Sequence, residues 1–122
     1  MKVWIGKSVL FIGIVHSVFG FIVFRDILAE LSIELLFNTV DGQPDREAAF
    51  WFIFTGFALL IIGGLIHWVE HMQLALPLFL KWSFLAITLL GCFIMPKSGF
   101  WLLIVPTVGM YFHQNKGPLG AH

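Results

Sequence analysis

The stretch at residues 48–69, which reads AAFWFIFTGFALLIIGGLIHWV, decides the fold class of this chain. Thr55 and His67 are its only clearly polar residues. A helix that crosses the hydrocarbon core of a bilayer needs about 20 consecutive apolar residues. The stretch meets that length, and it therefore predicts a membrane-spanning helix.

Three other apolar segments accompany it, at residues 3–24, 74–95 and 99–113. The last of them contains Pro106 and is shorter than a usual span. Four spans remain the best interpretation, because so apolar a segment has few other places to go. We therefore expect an all-α fold: one transmembrane domain over residues 1–122, built as a four-helix bundle with an amphipathic helical segment after the first span.

The composition excludes several classes of protein. The 122 residues are 59% hydrophobic and 11% charged, and seven basic side chains cancel seven acidic ones. A soluble domain is about half apolar and about a quarter charged, and a small one has too little interior to hide more apolar surface. A disordered chain and a nucleic-acid binder with a basic field are also excluded. The expected partner is a lipid bilayer.

The basic residues give a slight preference for one orientation in the membrane. With the N-terminus inside, four lysines lie on the cytoplasmic side and three basic residues lie outside. The inner set is Lys2, Lys7, Lys81 and Lys116, and the outer set is Arg25, Arg46 and Lys97. Because cytoplasmic loops carry an excess of Lys and Arg, we expect a multi-pass protein with both termini in the cytoplasm.

Acidic side chains are concentrated in the long connection after the first span. Six of the seven carboxylates lie between Asp26 and Glu47. Asp26, Glu30 and Glu34 recur every four residues, which predicts an amphipathic helix that lies at the interface or prolongs the first span. Such a stripe of charge indicates a solvated face more often than a cation or substrate site. Pro44, followed by acidic residues, is typical of the opening of the next helix.

Glycines predict how the first two spans pack. Gly6, Gly13 and Gly20 are seven residues apart, and Gly56 and Gly63 repeat this spacing in the second span. A seven-residue step returns to nearly the same face of a helix. Such small-residue faces let two helices approach closely where lipid provides no hydrophobic drive. We expect the first two spans to pack tightly along these glycines.

A cluster of ionisable residues ends the second span. His67, Glu70 and His71 form an H-x-x-E-H pattern, in which two histidines one turn apart would bind a metal while the glutamate activates water. The pattern is short and weakly specific, and a protease would need a further ligand and a cleft. Rotation along the helix places all three near the glycine face. They are the candidate catalytic and metal-binding residues.

Two further histidines are candidate ligands of a cofactor, either a metal ion or a haem. His113 lies on the same side of the membrane as the first cluster, whereas His16 lies near the middle of the first span. One haem that joins His16 to His67 is awkward, since their depths differ by about 12 Å. A hydrogen bond from His16 to a facing helix is the simpler interpretation.

Three motifs resemble the signatures of a known family. They are GIVHSVFG at 13–20, AFWF at 49–52 and PKSGFWL at 96–102. The family is one of small four-helix bacterial membrane proteins, known only as a domain of unknown function, and the resemblance covers nearly the whole chain. It implies four spans and a bacterial inner membrane, and it implies no activity. The His67 to His71 pattern is not one of these signatures.

Three functional hypotheses follow from the sequence. The first is a non-catalytic bundle that binds a lipophilic small molecule or a partner protein, as a homo-oligomer or with a membrane partner subunit. The second is a metal- or haem-binding redox subunit that uses His67 and His71, with Glu70 or His113 as a further ligand. The third is an acid/base membrane enzyme, of the isomerase or cyclase type, in which Glu70 and the histidines move protons.

Overall fold

The computed structural model describes residues 3–113, and within them the predicted all-α class is confirmed. The described part contains five α-helices and no strand. They are α1 (Ile5–Val23), α2 (Arg25–Ile33), α3 (Pro44–His71), α4 (Leu78–Ile94) and α5 (Ile104–His113), and a 3₁₀ helix (Gly99–Leu103) precedes α5. Lys2 and Lys116, on which the orientation argument drew, lie outside the described residues, and so does the side chain of His113.

Two of the helices, α1 and α3, are long and apolar enough to cross a membrane. Helix α4, with 17 residues, and the segment at residues 99–112 are apolar but shorter. Helix α3 has 28 residues and is about 42 Å long at 1.5 Å per residue. It is therefore longer than the hydrocarbon core of a bilayer, which is about 30 Å thick.

The starts of α3 and α4 differ from the starts of the predicted spans, because proline and polar residues determine where each helix begins. Helix α3 begins at Pro44, four residues before the predicted span, because proline fits the first turn and Asp45 and Glu47 favour a helix N-terminus. Helix α4 begins at Leu78, four residues after the predicted span begins. Gln73 adopts a positive φ of 58° in the connection, and Pro77 is the N-cap of α4.

The tightest packing in the molecule is between antiparallel helices α1 and α3. Each glycine of this seam faces a larger residue on the opposite helix. Gly6 faces His67, Gly13 faces Leu60, Gly20 faces Phe52, Gly56 faces Ser17, and Gly63 faces Leu10. A Cβ atom added to Gly63 would lie 2.7 Å from the backbone nitrogen of Leu10, so the two backbones approach as closely as glycine allows.

The remaining helices form a row beside this pair. Helix α5 packs against α1, and α4 packs against the 3₁₀ helix and α5. Thr88 of α4 and Thr107 of α5 are buried, and their hydroxyl oxygens are 3.1 Å apart. Phe100 covers Gly91, which has no side chain to exclude the ring. Because Thr107 also donates to the carbonyl of Leu103, at 2.7 Å, Thr88 is the donor between the two threonines.

The helices bury narrow faces and expose broad apolar ones. Most of the buried hydrophobic residues form one core, centred on Ile5, Val9, Ile66, Leu76 and Met110. Outside it, large apolar side chains are exposed along every helix, such as Phe21, Ile61 and Phe93. A protein in water rarely exposes an apolar surface of this extent.

Candidate functional site

Glu70 lies in the last turn of α3, and its side chain closes the start of α1. It is 3% exposed. Its carboxylate accepts hydrogen bonds from the backbone N–H groups of Gly6, at 2.5 Å, and Ile5, at 3.2 Å. The first N–H groups of a helix have no partner within the helix, and the N-cap residue, Trp4, provides no side-chain bond. Glu70 therefore acts as the N-terminal cap of α1, supplied from another helix.

Two features of the sequence make this long-range cap possible. Gly6 has no side chain, and a Cβ atom there would overlap the backbone of His67. The end of α3 can therefore lie directly against the first turn of α1. A negative charge at a helix N-terminus is also stabilised by the aligned peptide dipoles. Together these features explain how a carboxylate can be buried among apolar helices.

His67 lies one turn before Glu70, on the side of α3 that faces α1. Its Nδ1 atom is buried and has no hydrogen-bond partner among the described residues. The ring of His71 is nearly parallel to that of His67, at 28° with 6.3 Å between centroids, but His71 itself is exposed. The three residues of the H-x-x-E-H pattern thus occupy three environments: a capping carboxylate, a half-buried imidazole and a surface imidazole.

This arrangement bears on the predicted metal site. Among the described side chains, those of residues 3–112, no group of three His, Cys, Asp or Glu residues is placed to hold a metal ion. The Glu70 carboxylate points at the start of α1, so binding a metal through it would break the cap. Metal or haem binding by His67 and His71 stays a prediction, and so does a catalytic role for Glu70.

His16 joins the second half of α1 to the first third of α3. Its Nε2 atom donates to the backbone carbonyl of Phe52, at 2.8 Å, and its ring stacks on the Phe52 ring, with 3.9 Å between centroids. The neighbouring Gly56 leaves space for this approach. The bond is of the kind that the sequence favoured for His16. It occupies Nε2, so ligation of a cofactor through that atom would cost the contact between the helices.

Other polar residues lie on the same side of the fold as Glu70. Lys7 is exposed. The ammonium group of Lys81 lies 4.0 Å from the centre of the Tyr111 ring, which ties the start of α4 to the end of α5. His113, the other candidate cofactor ligand, is the last residue of α5. Lys7 and Lys81 border the helix ends, and the structure records no hydrogen bond or ion pair between either of them and Glu70.

The acidic stripe of α2 pairs with an arginine that the sequence analysis did not single out. Arg46, in the first turn of α3, donates two hydrogen bonds to Glu34, at 2.7 and 3.1 Å, and one to Glu30, at 3.3 Å. Its side chain is 12% exposed, although both carboxylates are largely in solvent. A signal was present, because Arg46 is the only basic residue between Glu30 and Glu47. The stripe is therefore neither a free cation site nor fully solvated.

This pairing changes the acidity of Glu34. The hydrogen bond from the Arg46 guanidinium is the main cause that lowers the pKa of Glu34 below its ordinary value of 4.5, and their charge attraction acts in the same direction. Asp26, the third member of the stripe, lies beside Arg25 at 3.8 Å and is fully exposed. The pair with Arg46 holds α2 against the start of α3.

Comparison with known proteins gives a family and no activity. No curated protein and no solved structure matches the chain. The sequence profile of a family of unknown function, DUF6463, matches residues 1–117, which is nearly the whole chain. The resemblance to a domain of unknown function is thereby confirmed. The chain belongs to the DUF6463 family.

Proposed function

We propose that the protein is a four-span integral protein of the bacterial cytoplasmic membrane, with both termini in the cytoplasm. Its bundle is non-catalytic and binds a lipophilic molecule or a partner protein within the bilayer. The observation that carries the non-catalytic assignment is the Glu70 cap, because it gives the buried carboxylate of the described helices a structural role.

The surface of the helices supports a location in the bilayer. Phe21, Ile61 and Phe93 are 50%, 73% and 86% exposed, and they lie on three different helices. In water this surface would drive aggregation, whereas lipid chains solvate it. Helix α4 with its 17 residues, and the 15 residues of the 3₁₀ helix and α5 taken together, would cross a bilayer that is locally thin.

The internal hydrogen bonds support a non-catalytic role. A general acid or base needs a side chain that can reach a substrate. The Glu70 oxygens bind the start of α1, His16 binds the Phe52 carbonyl, and Thr88 binds Thr107. Each of these polar groups joins two helices, and satisfying a polar group inside a membrane protein stabilises the bundle.

The outer face of α4 is the surface that we assign to the ligand or partner. The buried residues of α4, Phe84, Thr88 and Gly91, lie on a single face, and α4 packs only on the 3₁₀ helix and α5 within the described residues. Its opposite side carries exposed Leu89 and Leu90. A second copy of this chain or a helix of another membrane protein would pack there.

The first experiment separates the proposed role from the metal- or haem-binding redox hypothesis. The full chain is purified in a mild detergent, and its metal content and absorption spectrum are measured. We expect no stoichiometric metal and no Soret band. A stoichiometric metal or haem that is lost from His67→Ala, but kept by the control His122→Ala, would establish the redox hypothesis instead.

The second experiment tests the surface of α4. Leu89→Trp and Leu90→Trp would add bulk on the outer face, and Ile61→Trp would add it on α3 as the matched control. We expect the α4 variants alone to change the molecular mass of the detergent-solubilised complex, or the lipophilic compounds that mass spectrometry finds with it. Equal behaviour of all three variants would contradict the assignment.

The acid/base hypothesis has its own test. If a cellular phenotype of deleting the protein is restored equally by wild type and by variants with alanine at Glu70, His67 or His71, catalysis by those residues is excluded. The variants must be compared at equal amounts in the membrane, because loss of the Glu70 cap reduces stability for a reason unrelated to catalysis.

A further inference from the structure

The last residue of α2 and the connection that follows it present a group of apolar side chains that no part of the described fold covers. Ile33, Leu35, Leu36 and Phe37, which we name the apolar loop, are 80%, 83%, 62% and 88% exposed. We infer that the apolar loop inserts into the headgroup layer of the bilayer and contacts lipid acyl chains there, as an anchor for α2. This inference rests on the proposed membrane location.

The length of α3 places the apolar loop at the right depth. Gly20 faces Phe52 and Ile53 across the seam, so the end of α1 at Val23 is level with about residue 49 of α3. The first five residues of α3 therefore extend beyond α1 by about 7.5 Å. One headgroup layer is about 5–8 Å thick. Helix α2 packs beside this extension and thus lies within the headgroup layer.

The backbone turns the apolar loop outward in a defined way. Leu35 and Leu36 have positive φ angles of 65° and 66°, a region that leucine rarely adopts. The turn is nevertheless hydrogen-bonded, since the Leu36 N–H donates to the Leu31 carbonyl at 3.0 Å and the Phe37 N–H to the Leu35 carbonyl at 2.8 Å. The exposure of these side chains is therefore a property of a formed turn.

The charged side chain of the same segment is directed towards α3 and not towards the apolar side chains. Glu34 lies in the middle of the apolar loop, yet its carboxylate is held by two hydrogen bonds from Arg46. Arg46 also donates to the backbone carbonyl of Thr39, at 2.9 Å, and so holds both ends of the turn. An interfacial segment needs this separation, with charged groups on one side and large apolar side chains on the other.

The depth of the loop can be measured with spin labels. Cys92, the sole cysteine, is replaced by alanine, and single cysteines are introduced at Phe37, Asp41 and Ile61 in the full chain. The labelled proteins are reconstituted in vesicles of phosphatidylcholine and phosphatidylglycerol. Collision rates are then measured with oxygen, which concentrates in the acyl region, and with a water-soluble nickel chelate.

We expect the oxygen-to-nickel ratio to be several-fold higher at position 37 than at position 41, which lies in the same connection. Ile61 is 73% exposed on the middle of α3, and its ratio should be the highest of the three. If the label at Phe37→Cys disturbs the turn, Ile33→Cys reports on the same surface. We expect the oxygen-to-nickel ratio at position 33 to lie between the ratios at positions 41 and 61 as well.

Three different results would each contradict a different claim. Equal ratios at positions 37 and 41, with a high ratio at position 61, would refute the lipid anchor and leave the membrane location intact. Low accessibility of position 37 to both reagents would show that protein covers the loop instead of lipid. Free access of the nickel chelate to position 61 would refute the proposed function itself.

Discussion

The α1–α3 pair and the α4–α5 pair achieve helix contact by different means. Along α1 and α3, glycines on both helices let one backbone approach the other, from Gly6 to Gly20. Between α4 and α5, the contact depends on side chains, chiefly the hydroxyl pair of Thr88 and Thr107. Lipid gives helices no hydrophobic drive to associate, so close van der Waals contact should contribute more than one hydrogen bond. The first pair should therefore tolerate substitution less well than the second.

Substitution of two adjacent glycines tests the seam most severely. A Cβ at Gly63 would meet the Leu10 backbone, whereas a Cβ at Gly64 would meet no atom within 4 Å. We expect Gly63→Leu to lower the free energy of unfolding by about 3 kcal/mol through overpacking. Gly64→Leu should leave it unchanged or raise it by up to about 1 kcal/mol through helix propensity. Unfolding in mixed micelles measures both, and equal losses would refute a tightly packed seam.

Removal of the cap should have the next largest effect. Glu70→Ala leaves two buried N–H groups of α1 without acceptors, and we expect a loss of about 2 kcal/mol in the free energy of unfolding. Glu70→Gln should lose less, because its amide oxygen still accepts a hydrogen bond. The exposed neighbour provides the control, since His71→Ala should stay within about 0.5 kcal/mol of wild type. If both alanine variants matched wild type, Glu70 would have no capping role.

The α4–α5 pair should respond more weakly. Thr88→Val keeps the shape of the side chain but removes the donor to Thr107, which still donates to Leu103. Hydrogen bonds between helices in membranes contribute about 0.6 kcal/mol on average, and we expect a loss of that size. Denaturant unfolding under the conditions used for Gly63→Leu makes the comparison direct. A larger loss from Thr88→Val than from Gly63→Leu would reverse the ranking of the two pairs.

The smallest effect concerns α2, which a pair of ionic contacts attaches to α3. Because the folded pKa of Glu34 lies below its ordinary value of 4.5, its contribution to stability is present above that pH. The contribution is lost as the pH falls through the lowered pKa. Carbon NMR of the Glu34 carboxyl should give a lower pKa in wild type than in Arg46→Gln. An identical titration in both proteins would show that the pair does not persist in solution.

The sequence predicted those parts of the fold that depend on local patterns. The apolar stretch at residues 48–69 and the acidic opening after Pro44 are both found in α3, since hydropathy and helix-start signals act within a few residues. The amphipathic pattern of Asp26, Glu30 and Glu34 likewise predicted α2. The 3₁₀ start of the last apolar segment was not predicted, because no residue type marks a 3₁₀ turn reliably.

For the candidate site, the sequence predicted where the residues lie but not which groups they bind. Helical rotation placed Glu70 and His67 near the glycine face, where the structure has them. The partner of Glu70 could not be predicted, because every residue except proline has a backbone N–H and the sequence does not show which helix start lies opposite. The same holds for Arg46, whose partners depend on α2 folding back along α3.

The Glu70 cap also has a consequence for the order of membrane assembly. The groups it joins are 64 and 65 residues apart in the chain, and Glu70 lies in the last turn of α3. A ribosome makes α1 first, so the N–H groups of Ile5 and Gly6 must stay hydrated until α3 is complete. In the proposed membrane bundle, we expect the start of α1 to leave the aqueous boundary only once Glu70 is in place. In that case, the Glu70 cap forms only after the hairpin of α1 and α3 is complete.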